Sequence, residues 1–184
     1  MIVWVGIDMD SQYGLVKEVT KAVEKEVGVD HSNFTLPMHV SLKISFKVEE
    51  RDFQAVEDVI TAIYDRTEPF EIAVKGIELH ENICWIRMQE NPRLNALSEE
   101  LNYTLRDQFG VPLHEYDLDF KFHTTLFMDD DVEKVAKAYE KVKDVPVPDK
   151  LMARRFVIGT SESGDLGTYK IYKNIGNRKK VTEL

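Results

Sequence analysis

Cysteine is almost missing from this chain. Cys84 is the only one among 184 residues, so no intrachain disulfide can form, and its seat inside an apolar run suits buried packing better than nucleophilic chemistry. No apolar stretch is long enough to span a bilayer, and the first residues lack the basic, apolar and small-residue succession of a secretory signal. A cytoplasmic protein with no membrane partner is the expectation. Positive charge is in deficit: 24 Lys and Arg stand against 33 Asp and Glu, a net charge of −9. That balance argues against an extended nucleic-acid track, because backbone binding draws on many phosphate contacts from Lys and Arg. Also absent are His-x-x-x-His and Cys-x-x-Cys metal spacings and the glycine-rich phosphate loops of Walker or dinucleotide type. The Asp129-Asp130-Asp131 run reads as the start of a helix, where acidic residues are favoured. No metal and no cofactor are expected.

What the chain does contain is a pair of short histidine motifs, Met38-His39-Val40-Ser41-Leu42 and Phe122-His123-Thr124-Thr125-Leu126. In each, a hydroxyl residue follows the histidine by two. Around the first, Val40, Leu42, Ile44 and Phe46 alternate with His39, Ser41, Lys43, Ser45 and Lys47. Around the second, Leu118, Phe120, Phe122, Leu126 and Met128 alternate with Asp117, Asp119, Lys121, His123 and Thr125. Period-two alternation predicts strands with one core face and one face able to line a groove, and it places each histidine beside its hydroxyl partner. Such a pair suits phosphate chemistry: one imidazole takes a proton while the other gives one, and hydroxyls hydrogen-bond the phosphate oxygens.

The surrounding pattern predicts strands over residues 2–7, 69–79, 83–88, 151–160 and 168–174. Helices are predicted over 11–27, with Leu15, Val19 and Val23 as its apolar stripe, over 49–67, 92–109 and about 129–143. Pro92 near the start and Gly110 just past the end punctuate the third helix. The order β-α-β-α-β occurs twice. The two motif histidines lie 84 residues apart and the two tryptophans, Trp4 and Trp85, lie 81 apart, which fits two copies of one unit. An α+β fold follows: a duplicated β-α-β-α-β unit forming two pseudo-symmetric lobes, about 1–80 and 82–175, around a central cleft, with 176–184 as a flexible tail.

On these residues the chain resembles the two-histidine (2H) phosphoesterase superfamily, particularly its RNA 2′,3′-cyclic phosphodiesterase and 2′-5′ RNA ligase-like branch. The signature there is a pair of His-x-Thr/Ser-hydrophobic motifs, one per lobe, and His39-Val40-Ser41-Leu42 and His123-Thr124-Thr125-Leu126 match it position by position. Ser41 stands where threonine is more usual, and Thr35-Leu36-Pro37-Met38 replaces a more proline-rich lead-in. The resemblance implies a metal-independent phosphodiesterase with His39 as acid and His123 as base. Ser41, Thr125 and Lys43 would bind the substrate, a small nucleotide or an RNA-end phosphodiester.

Lys43, Lys47, Lys121, Arg154, Arg155 and Lys170 fall on or near the predicted groove strands, and solvated strand charges are the plain alternative for each. His31, His80 and His114 lack a hydroxyl partner two residues on and read as loop or surface residues. Two other functions stay open. One is a nucleotide- or RNA-end-binding module with little or no turnover. The other is a ferredoxin-like α+β interaction domain in which both motifs are accidental.

Overall fold

Eight strands and five helices are arranged as two four-stranded antiparallel sheets in the computed structural model, which describes residues 1–29, 36–165 and 167–176. The first sheet has β1 (Ile2–Asp8) and β7 (Phe156–Ser161) at its centre, flanked by β2 (His39–Lys47) and β8 (Lys170–Ile175), in the order β2-β1-β7-β8. The second runs β5 (His123–Met128), β4 (Ile83–Met88), β3 (Phe70–His80), β6 (Lys150–Ala153). Each sheet thus carries a histidine strand at one edge and a tryptophan strand next to it. The two histidine strands, β2 and β5, contact one another. An edge strand exposes unpaired backbone groups that must be covered, and here each histidine edge is packed against the other.

The helices follow their sequence signals. The first, α1 (Gly14–Val27), is preceded by a 3-10 turn at Asp10–Gln12, and α2 (Phe53–Arg66) by another at Glu50–Asp52. Buried Val56, Ile60 and Ile63 form the inner stripe of α2, each fully buried aliphatic side chain contributing about 1.5–3 kcal/mol. In α3 (Pro92–Phe109) the Asn91 side chain accepts from the backbone N–H groups of Arg93 and Leu94, and Gly110 closes the helix at φ 68°, a left-handed value that glycine adopts without a Cβ clash. The Asp131 carboxylate caps α5 (Val132–Val142) in the same way. In α1 the buried residues are Val16, Thr20 and Val23, while Leu15 is exposed; the apolar stripe is rotated from the one expected.

The lobes are not the sequential halves 1–80 and 82–175. Strand β3 belongs to the second sheet because only Glu81 and Asn82 separate it from β4, and so tight a turn obliges the two to pair as a hairpin. The continuous strand expected over 151–160 is two strands, β6 and β7, in different sheets, broken at Arg154-Arg155. The first sheet is therefore built from both ends of the chain and the second from its middle. One hydrophobic core joins them, running from Val3, Val5 and Ile7 through Ile60 and Ile63 to Ile72, Ile86 and Phe127. The strand expected through residues 117–122 is instead the one-turn helix α4 (Glu115–Leu118) and an irregular link to β5. Leu118, an inward residue of the expected strand, is exposed.

Candidate active site

His39 opens β2 and His123 opens β5, so both imidazoles sit at the same end of equivalent strands. Each ring makes the same local bond: Nδ1 lies 2.6 Å from the carbonyl oxygen two residues earlier, of Pro37 for His39 and of Lys121 for His123. A carbonyl oxygen can only accept, so Nδ1 carries the proton in both rings. The neutral imidazole then has its lone pair on Nε2, and protonation makes Nε2–H a donor. Each ring can give or take a proton at one defined atom.

A tryptophan from the neighbouring strand packs on each histidine. The Trp4 and His39 ring centres are 4.1 Å apart and nearly edge-on, and those of Trp85 and His123 are 4.3 Å apart. Burial lowers the affinity of both imidazoles for protons. His39 is pushed down to about 4 by loss of solvent, against the pull of the Pro37 carbonyl and with added repulsion from His123. His123 is lowered for the same first reason, opposed by the Lys121 carbonyl and reinforced by Arg87 and His80. The charge of one histidine thus bears on the other.

Between the lobes lies a cleft of about 610 Å³, a size in the range of small-molecule sites. Ser41 and Ile44 of β2 line it on one side; Trp85, His123, the β3–β4 hairpin and the α4 region line the rest. Ser41 accepts a hydrogen bond from the Trp4 indole N–H at 3.0 Å. Thr125 pairs with Trp85 across the ladder and is half-buried. Its neighbour Thr124 is buried, its hydroxyl 2.8 Å from that of Tyr13. Lys121 lines the cleft; Arg155 is turned to the Asp8 carboxylate.

Lys43 does not face the cleft. Its register with β1 shows why: Val3 opposes Phe46, Val5 opposes Lys43 and Gly6 opposes Ser41, so β2 gains one extra residue on each side of Lys43. Such a bulge breaks the period-two alternation. Leu42 and Lys43 are both buried, and Ile44, expected in the core, reaches the cleft wall. The Lys43 and Asp117 side chains are each 1% exposed and form an ion pair that ties β2 to α4. Asp117 also accepts from the His114 backbone N–H at 2.8 Å.

Sequence reasoning also passed over His80. It stacks on Trp85 at 5.1 Å with the rings 12° from parallel, and it lines the cleft near His123. No motif marks it, since its place depends on the hairpin. The two tryptophans marked the duplication but were assigned no role at the site. His114 caps α4, and His31 lies outside the described residues, as does the tail beyond Gly176. Cys84 is buried and its thiol is pushed up to about 12, which removes it as a thiolate nucleophile at neutral pH. Among the described residues no group of three or more His, Cys, Asp or Glu side chains is gathered as a metal would require, and no helix is long and apolar enough to cross a membrane.

A two-lobed α+β scaffold that sets Ser41 of one His-x-hydroxyl motif and His123 of the other on a shared cleft defines a class. The family model of the 2′-5′ RNA ligase superfamily matches residues 17–165. The chain belongs to that superfamily, within the two-histidine phosphoesterases. Among solved structures it is similar to E. coli LigT in apo form, with a TM-score of 0.56 at 16% identity over 94% of each chain. It is also similar to LigT complexed with 3′-AMP, with a TM-score of 0.54 at 16% identity over 94% of this chain and 95% of that one. TT0787 of Thermus thermophilus gives a TM-score of 0.53 at 17% identity, over 96% of this chain and all of the other. At such identities the likeness establishes the fold. Among curated protein sequences none matches the chain significantly.

Proposed function

We propose that this protein hydrolyses a 2′,3′-cyclic phosphate or a related ribose phosphodiester, with His123 as general base and His39 as general acid. The observation that carries the reading is the matched pair of Nδ1–carbonyl bonds, which leaves Nε2 of both motif histidines as the proton-handling atom. His123 takes a proton from water as the water oxygen bonds to phosphorus. The bond from phosphorus to the 3′ ribose oxygen breaks, His39 gives that oxygen a proton, and a 2′-phosphate remains. Ser41 and Thr125 hydrogen-bond the phosphate oxygens as their charge grows. With the 5′-hydroxyl of a second ribose in place of water, the same forward steps join a 2′-5′ linkage, and their reverse cleaves it.

Neutral His39 acquires its proton when substrate binds. A phosphodiester anion brings negative charge into a desolvated site, and opposite charge favours the imidazolium. The chemistry needs proton transfer and hydrogen bonding only, so the protein is read as cofactor-free. A cleft of about 610 Å³ suits one nucleotide or the end of an RNA, not an extended strand, and Lys121 takes the place of Lys43 as the cation at its wall. The LigT complex with 3′-AMP is in keeping with a ligand of this size.

The depressed proton affinity of His39 also favours a second reading, a nucleotide- or RNA-end-binding module with little turnover. Steady-state assay of 2′,3′-cyclic nucleotides beside 2′-5′ dinucleotides separates the two. Hydrolysis that survives EDTA is expected for the first, and saturable binding without product for the second.

A further inference from the structure

Trp4 lies in a seat built around it. Gly6 follows two residues along β1, and Gly159 pairs with Trp4 across the ladder to β7. A β-carbon at Gly6 would stand 2.4 Å from the indole Cζ2, and one at Gly159 would stand 3.2 Å from Cε3. Both positions let the indole rest against backbone where any side chain would displace it or force a shift. Trp4 is buried with Val157 and Tyr169 in a small cluster apart from the main core, and it precedes the residues 17–165 matched by the family model.

From this seat it touches both members of one motif: its ring packs on His39, and its N–H donates to Ser41 Oγ at 3.0 Å. An indole N–H only donates, so it occupies a lone pair of the Ser41 oxygen and leaves the hydroxyl proton without a competing acceptor among the described residues. Ser41 lines the cleft, and the proton is free to point there. The other lobe is not built this way. Trp85 packs on His123, yet its indole N–H is turned toward the Glu78 carboxylate without a well-formed hydrogen bond, and Thr125 is left unoriented by it.

We propose that Trp4 is a positioning residue for the phosphate: it holds the Ser41 oxygen so that the hydroxyl donates into the cleft, and it fixes His39 beside the same ligand. The catalytic half of this inference rests on the phosphodiesterase reading, and the phosphate-holding half does not. The test is a double-mutant cycle on hydrolysis of a 2′,3′-cyclic nucleotide, with thermal melting to confirm folding. Trp4→Phe keeps an aromatic ring and removes the N–H. It is expected to lower kcat roughly three- to tenfold with KM little changed, the size of one hydrogen bond. In a Ser41→Ala background the same change costs nothing further; in a Thr125→Ala background it costs roughly the same three- to tenfold. Trp85→Phe costs less than Trp4→Phe. An equal loss from Trp4→Phe with and without Ser41 would overturn the proposal.

A second measurement needs neither turnover nor a tryptophan variant. The Trp4 indole N–H resonance of the wild-type protein is expected to shift on titration with inorganic phosphate, and to stop responding in Ser41→Ala. An indole signal indifferent to the serine would overturn the proposal. A wild-type protein that shows this coupling yet hydrolyses no cyclic nucleotide would sink the catalytic reading and uphold Trp4 as the positioner of a bound phosphate.

Discussion

The two histidine strands are alike in scaffold and unlike in surroundings. Each opens with a histidine whose Nδ1 is tied to a carbonyl two residues back, and each lies beside a tryptophan strand. Yet β2 is bulged, its serine is held by an indole N–H, and its histidine loses proton affinity mainly through desolvation, with His123 adding repulsion. On β5 the histidine is likewise half-buried but feels the charges of Arg87 and His80, and the threonine lacks a tryptophan donor. Both strands keep the same free ring nitrogen, Nε2. The unlike surroundings are what the proposed division into an acid and a base rests on.

The largest expected effect tests the shared part. His39→Ala and His123→Ala should each lower turnover of a 2′,3′-cyclic nucleotide by about 10²–10⁴-fold, and the double variant should lose less than the product of the two, since groups acting as a unit are not additive. Steady-state kinetics with circular dichroism decides this; near-normal turnover by either folded single variant would remove that histidine from the mechanism.

Next comes the buried ion pair that separates β2 from its counterpart. Lys43→Met leaves Asp117 buried and uncompensated, which should cost about 3–5 kcal/mol of stability in urea unfolding. Adding Asp117→Leu should restore most of it. A residue that binds substrate would instead raise KM and leave the unfolding midpoint alone.

The smallest effect is in pH. Both free imidazoles hold protons less tightly than an ordinary histidine, His39 down to about 4. The base limb and the acid limb of kcat/KM, which report the free enzyme, therefore both move to lower pH. A bell with its maximum below the ordinary histidine value of about 6.5 is expected, while the kcat profile lies higher because bound phosphate favours the charged rings. A kcat/KM that keeps rising into the alkaline range would show that neither limb belongs to these histidines.

Part of this arrangement could be read from the chain. Alternation predicted the strands that His39 and His123 open, and the spacing of Trp4 and Trp85 pointed to the strands that lie beside them. The helix limits of α3 followed from Pro92 and Gly110. Lys43 was misplaced because a bulge changes which residues share a face, and nothing in His39-Val40-Ser41-Leu42-Lys43 announces an extra residue. The division into lobes was missed because strand partners are set across long separations: β7 joins β1 from the far end of the chain, after a break at Arg154-Arg155 that looks like an ordinary charged step in a strand. His80 was passed over for the same reason, since only the folded hairpin lays it on Trp85.

Central to the proposed function are two imidazoles with one fixed tautomer serving one phosphate. The most direct measurement is a ¹⁵N NMR titration of the histidine rings, with and without inorganic phosphate. His39 and His123 should both show a protonated Nδ1 in the neutral form, both should titrate below the ordinary histidine range in the free protein, and both should move to higher pH when phosphate binds. A response to phosphate from only one of them, or a neutral form protonated at Nε2, would contradict the shared site.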